Sequence, residues 1–147
     1  MVSAETSKHV VRRLLDEVVN GGRTDILEEL VSPDYYDHHP LPGTSPDLDG
    51  LKQRFAIRNQ AFPDFQATIV QLVAEGDKVA VIMSGKGTHL GDFMGAEPTG
   101  REFTIPEAHV FRLANGRLIE HWGLTDLFSL REQLGLVAFP DYAPATA

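Results

Sequence analysis

Three short segments of the chain gather the side chains that can move protons. "PEAHV" carries Glu107 and His109 two residues apart, "IEHWGLTD" sets Glu120, His121 and Asp126 around Gly123, and "PDYYDHHP" carries Asp37, His38 and His39. Side chains two apart in a β-strand point to one face, so Glu107 and His109 act as a pair if "REFTIPEAHVFRL" is a strand. A carboxyl beside an imidazole supplies a base for an attacking carbon or hydroxyl and an acid for the developing oxyanion. Burial raises a Glu pKa and lowers a His pKa, ion pairing does the opposite, and such a pair titrates as one unit. Each residue also has a plainer reading. Pro106 removes a ladder donor and suggests an edge or bulge with Glu107 exposed, and His109, between Ala108 and Val110, reads as a satisfied interior histidine.

Whether His121 joins the pair depends on the turn at Ala114-Asn115-Gly116. A two-residue Asn115-Gly116 turn sets His109 opposite Trp122 and Glu107 opposite Leu124, with His121 on the other face. A three-residue turn with a glycine bulge sets His109 opposite His121 and Glu107 opposite Gly123. In that second register Glu107, His109 and His121 would also form a two-histidine, one-carboxylate set suited to iron. Trp122 is core, a subunit contact or an aromatic wall for a planar substrate.

The elements that must position these groups follow from periodicity. Val10, Val11, Leu14, Leu15 and Val18 recur at helical spacing up to Gly21-Gly22. Thr24 is the expected cap of a short helix over "DILEELV", which Pro33 prevents from continuing, and "SPDYYDHHPLPGTSPDLDG" reads as a loop. Leu51, Phe55 and Phe62 mark a third helix ending before Pro63. Two hairpins follow, one turning at Glu75-Gly76-Asp77 and one at Ala114-Asn115-Gly116. Thr125 or Asp126 caps a last helix through "LFSLREQLG", and residues 136–147 read as a loose tail. Helices first and hairpins later predict one α+β domain over residues 1–147, with helices on one face of a curved sheet and a small-molecule cavity between them.

Composition narrows the partners. The 147 residues include no cysteine, which excludes disulfides and thiolate metal sites and suits a reducing cytosol. A net charge of −8 without a basic stripe argues against nucleic acid. No signal layout or membrane-length apolar run is present. "GTHLGDFMG" is glycine-rich but lacks the spacing and lysine of a phosphate loop, and its His89 reads as structural.

The segments "VVNGGRTDILEELVSPDYYDH", "AFPDF", "EGDKVAV", "GTHLGDFMGAEPTGREF", "VFRLANGRLIEHW" and "LREQLG", in that order, resemble the SnoaL-like polyketide cyclase family over nearly the whole chain. The resemblance implies a nuclear transport factor 2-like fold: a cone-shaped barrel of a curved, largely antiparallel sheet packed with N-terminal helices. It also implies a homodimer or homotetramer and, in the founding enzymes, a cofactor-free and metal-free intramolecular aldol closure of an aromatic polyketide. Those enzymes carry a pocket glutamine, histidine and acid/base aspartate at the positions of Glu107, His109 and Gly123, which favours the three-residue turn. Here the aspartate position is glycine. The resulting expectation is that the carboxylate has changed strands: opposed Cβ atoms lie about 5 Å apart, and Gly123 leaves room for Glu107. Asp126 is then a helix cap.

Asp37 matches a pocket asparagine of the founding cyclases and is either a substrate contact or a loop cap. Tyr36, His38, Asn59, His121 and Trp122 complete the expected substrate-binding set, at most one of the adjacent His38 and His39 reaching the pocket, and Arg58 is an entrance residue or a solvated helix residue. The expected function is ring closure in a polyketide or related aromatic natural product, by aldol addition or by epoxide opening to an ether, with Glu107 and His109 as the acid/base pair. The alternatives are an epoxide hydrolase-like enzyme and a non-catalytic small-molecule-binding module.

Overall fold

A computed structural model describes residues 2–137. Helix α1 (Ala4–Arg13) starts where Ser3 accepts from the Thr6 amide at 3.1 Å and runs into a π-helical stretch, Leu14–Val19. The wider turn, in which the Asn20 amide reaches the Leu15 carbonyl at 2.9 Å, keeps both Val18 and Val19 against the sheet. Asn20 then ties helix to sheet, donating to the Ala67 carbonyl at 2.8 Å and accepting from its amide at 2.7 Å.

The second helical segment begins as a 3-10 turn (Thr24–Ile26) before α2 (Leu27–Leu30), and no side chain caps it, Thr24 included. Strand β1 (Val31–Asp37) occupies the start of the expected loop. It lies at the sheet edge, where a proline such as Pro33 is tolerated. Helix α3 (Leu48–Ala61) is capped by Asp47, whose carboxylate accepts from the Gly50 amide at 3.0 Å, and it stops before Pro63 as predicted. Strands β2 (Gln66–Glu75), β3 (Lys78–Thr88), β4 (Glu102–Ala114) and β5 (Arg117–Thr125) form the two hairpins. Asp126, rather than Thr125, caps α4 (Leu127–Gln133) by accepting from the Ser129 amide at 3.0 Å. Most of the expected tail lies outside the described residues.

The five strands run in the order β1-β5-β4-β3-β2, antiparallel except for the parallel β1–β5 pair. The sheet is α+β and cone-like as expected, but it does not close into a barrel. Its inner face buries Val79, Val81, Phe103, Ile105, Phe111 and Leu118 against the helices. Among the described residues no helix is long and apolar enough to cross a membrane.

Neither of the two registers anticipated for the last hairpin occurs. Asn115 and Gly116, at φ 52° and 76°, form a two-residue turn that pairs Ala114 with Arg117. Ile119 is then an extra residue on β5, so that Leu113 pairs with Leu118 but Arg112 with Glu120. This bulge reverses the side-chain parity of the rest of β5. His109 therefore faces Gly123, Phe111 faces His121 and Glu107 faces Thr125. The face assignment of the three-residue turn survives, because the observed register pairs His109 with Gly123 instead of His121, a difference of two residues that keeps the parity.

Candidate active site

Strand alternation sets Glu107 and His109 on the buried face of β4 between Ile105 and Phe111. Pro106 does not make β4 an edge. Its carbonyl points toward the Asp126 amide, beyond the end of β5, and in an antiparallel strand its nitrogen points the same way, so no ladder bond is lost.

Four acid/base groups form one buried hydrogen-bonded chain. Asp37 Oδ1 lies 2.8 Å from His121 Nδ1, His121 Nε2 lies 2.8 Å from His109 Nδ1, and His109 Nε2 lies 3.2 Å from Glu107 Oε1. The Thr125 hydroxyl donates to Glu107 Oε1 at 3.0 Å, and the His39 amide donates to Asp37 Oδ1 at 2.8 Å. Each of the three links needs one hydrogen. The four groups therefore share three protons, one more than two carboxylates and two neutral imidazoles carry.

Burial pushes the Glu107 carboxyl up, but the hydrogen bond and charge of His109, the Thr125 hydroxyl and the charge of Arg54 outweigh it, so Glu107 lies below its ordinary value. Asp37 behaves alike: burial raises it, and His121, the His39 amide and Arg54 bring it below. His121 is held low by burial first, which the Asp37 carboxylate opposes only in part. The direction is thus toward ionised carboxylates at both ends of the chain.

A cavity of about 280 Å³ opens between α3, α4 and the sheet. Glu107, Thr125 and Gly123 form its polar floor, Arg54 and Arg58 one wall, and Phe62, Phe65, Phe93 and Phe103 the aromatic remainder. A small recess of about 50 Å³ shares Arg54, Arg58 and Glu107 with it and is lined by His109 and His121. Glu107 is therefore the member of the chain that lines this cavity, with the histidines and Asp37 behind it.

Gly123 makes room for a different group from the one expected. A Cβ there would come within 2.5 Å of His109 Nδ1 and 2.6 Å of His121 Nε2, so the missing side chain clears the link between the two histidines. The glycine that clears Glu107 is Gly85, whose Cβ would lie 2.6 Å from Glu107 Oε2.

The remaining expected residues divide. Asp37 and His121 join the chain. Tyr36 is half exposed because Asp37 and Tyr35 take the inward positions of β1, and it packs edge-on against His38. His38 stacks on Trp122 with ring centroids 4.6 Å apart and pairs with Glu120 at 2.6 Å. Trp122 lines a neighbouring depression with Val73 and Ile82, which shares His39, Gly123 and Leu124 with the cavity. Asn59 is exposed and its neighbour Arg58 takes the cavity wall, while of the adjacent histidines it is His39 that lines the cavity. Glu107, His109 and His121 share a face without forming the iron-type set, since both nitrogens of His109 are engaged by its neighbours. Among the described residues no three His, Cys, Asp or Glu side chains group to hold a metal ion.

Sequence reasoning missed Thr125, Arg54 and Phe65. Arg54 and Arg58 stand one helical turn apart beside Leu51 and Phe55, a spacing that marks them as flanking the apolar face.

The family model of the SnoaL-like polyketide cyclase matches residues 9–134. The chain belongs to this family. Among curated SnoaL-like relatives, the aklanonic acid methyl ester cyclase AcmA of Streptomyces galilaeus is 27% identical over 128 residues, covering 85% of this chain and 88% of its own. The nogalonic acid methyl ester cyclase of Streptomyces nogalater is 28% identical over 123 residues, covering 79% and 88%. Of solved structures, wild-type IdmH of Streptomyces antibioticus superposes with a TM-score of 0.78 at 34% identity, over 88% of this chain and 98% of that one. TsrD of Streptomyces laurentii gives 0.84 at 25% identity, over 93% and 100%. Membership of the SnoaL-like family makes the chain a polyketide cyclase in the coarse sense.

Proposed function

We propose that the protein closes a ring in a polyketide or related aromatic substrate by acid–base catalysis without a cofactor, with Glu107 as the group that takes the substrate proton. The observation that carries this reading is the Glu107 carboxylate in the cavity, backed by the buried chain His109–His121–Asp37. Glu107 removes a proton from the attacking carbon or hydroxyl, the electron pair closes the ring, and the oxygen that becomes negative takes a proton back. The hydrogen bond and charge of His109 keep the Glu107 carboxylate ionised before the step, and the links through His121 to Asp37 let the chain redistribute charge after it. Proton transfer of this kind contributes about 10²–10⁴-fold, and holding both ends of one substrate in the cavity can add more. Thr125 and the Asp37 end act as positioning groups.

The two curated relatives are named as cyclases of aklanonic and nogalonic acid methyl esters, so aromatic polyketide methyl esters are the first substrates to try. Self-association through the outer sheet face, where Val73, Ile82 and Leu124 are exposed, and a cytoplasmic setting belong to the same reading.

The test is turnover by the wild type and Glu107→Gln on a panel of aromatic polyketide esters and prenylated aromatic epoxides, followed by mass and retention time. Ring closure without mass change that collapses in the variant supports the reading. Gain of one water would assign a hydrolase, and unchanged turnover in Glu107→Gln would remove Glu107 from the chemistry. Ligand binding by both forms with no turnover in either would favour a binding module.

A further inference from the structure

Among the described residues Tyr35, Arg58 and His89 carry buried polar atoms without a hydrogen-bond partner, and of these Arg58 alone is a permanent cation. Its Nε and Nη2 are buried and make no hydrogen bond. The guanidinium lies over two aromatic rings, 4.8 Å from the centroid of Phe55 and 4.7 Å from that of Phe65, which hold it in place without using its N–H donors. Neighbouring Arg54 is differently engaged, donating to the His39 carbonyl at 3.4 Å and lying 4.0 Å from the Asp37 carboxylate. Arg58 lines both the 280 Å³ cavity and the recess, as Glu107 does. A buried cation with unused donors is poorly solvated, and among the described residues the two rings and the charge of Glu107 offset this without satisfying the donors.

We infer that Arg58 is an oxyanion site: its free N–H groups hold the oxygen of a substrate enolate or phenolate, on the cavity wall beside Glu107. Its place in the reaction rests on the reading of Glu107 as the base. When a substrate C–H bond breaks and the proton goes to Glu107, the electron pair passes into the adjacent carbonyl and leaves the negative charge on its oxygen. Arg58 is the charged donor that can meet that oxygen. Burial, opposed by Glu107, pushes the guanidinium down to about 10, so it stays charged at neutral pH while remaining poorly solvated, the state in which a charge-assisted hydrogen bond is strongest. The substrate class this selects is an aryl ketone with an acidic α-hydrogen, such as an aryl β-dicarbonyl, or an acidic phenol.

Benzoylacetone tests this directly, because its enolate absorbs at longer wavelength than its neutral forms, and butyrophenone is the comparator without the second carbonyl. The purified full chain is titrated with each at several pH values, as wild type, Glu107→Gln, Arg58→Lys and Arg58→Met. The expected result is a bound enolate whose apparent acidity is raised at least about tenfold in the wild type and at least as much in Glu107→Gln, where no carboxylate repels it. Arg58→Met should lose that enhancement and weaken enolate binding by more than about tenfold while butyrophenone affinity changes little, with Arg58→Lys between the two. Unshifted acidity of the ligand in both wild type and Glu107→Gln overturns the inference even if Arg58→Met does not fold, and so does equal enolate binding by a folded Arg58→Met. Failure of the Glu107→Gln turnover test with the enolate signal intact would remove the base and leave the oxyanion site standing.

Discussion

Gly123 faces His109 across the β4–β5 ladder, and the absence of a side chain on Gly123 is what allows His109 and His121 to meet at 2.8 Å. A methyl group there would stand 2.5 Å from His109 Nδ1 and 2.6 Å from His121 Cε1. Both rings are packed against Phe111, at centroid distances of 6.2 and 4.9 Å, so neither can withdraw without disturbing the core. Gly123→Ala is expected to cost about 1–3 kcal/mol in urea unfolding, the usual range for overpacking, and to lower turnover by more than about tenfold by parting the histidines. Gly123→Asp, which restores the aspartate that the family resemblance implies at this position, should lose activity as well, since the space it would occupy is filled. Wild-type turnover in either variant would show that the His109–His121 link is dispensable.

The far end of the chain can be tested without changing its shape. Asp37→Asn preserves an acceptor for His121 Nδ1 but removes the charge that opposes the burial of that imidazole. Turnover is expected to fall by about tenfold or more with KM little changed, because Asp37 lies behind the cavity floor and acts through the histidines. The accompanying signature is a pH–rate profile that moves relative to the wild type. A variant that alters KM alone would place Asp37 in substrate binding instead.

Acid should unfold the protein partly through this site. Asp37 and Glu107 both lie below their ordinary values of 3.8 and 4.5 in the folded chain. Their contribution to stability is complete above the ordinary carboxyl range and is lost as the pH falls through the lower folded values, where the folded state must take up the protons. The acid limb of a stability–pH curve should be shallower in Asp37→Asn and in Glu107→Gln than in the wild type. Parallel acid limbs in all three proteins would mean that the two carboxylates titrate alike folded and unfolded.

The sequence carried the fold far enough to find this site, but not its connections. Helical spacing located α1 and α3, and the Gly76 and Asn115-Gly116 turns located both hairpins, because these signals are local. Strand β1 was hidden by Pro33, Asp34 and Asp37, which an edge strand tolerates and a loop favours equally. Thr24 looked like a cap, yet the chain turns there by a 3-10 segment and leaves its hydroxyl unused for capping. The bulge at Ile119 has no composition of its own, so neither the register nor the link from Asp37 to Glu107 could be read from the residues, and only the family resemblance favoured one face for Glu107, His109 and His121. Tyr36, His38 and Trp122 were expected in the substrate-binding set, whereas strand alternation turns Tyr36 and Trp122 outward and His38, one residue past β1, stacks on Trp122.

Gly85 offers a last test that separates crowding at the carboxylate from crowding in the core. It sits on β3 opposite Ile105, and a Cβ there would meet Glu107 Oε2 at 2.6 Å and the Phe65 ring at 2.9 Å, the same ring that lies against Arg58. Two residues on, a Cβ at Gly87 would meet only Phe103 and Phe62, at 3.1 to 3.3 Å, among its nearest atoms. Neither glycine has a positive φ, so alanine brings contact without backbone strain. Both variants should lose stability by about 1–3 kcal/mol. Gly85→Ala alone should also lower turnover by more than about tenfold and shift the pH–rate profile, because it moves Glu107 against His109 and Thr125. Equal losses of turnover in the two variants, with unchanged profiles, would mean that the position of Glu107 is not what limits the reaction.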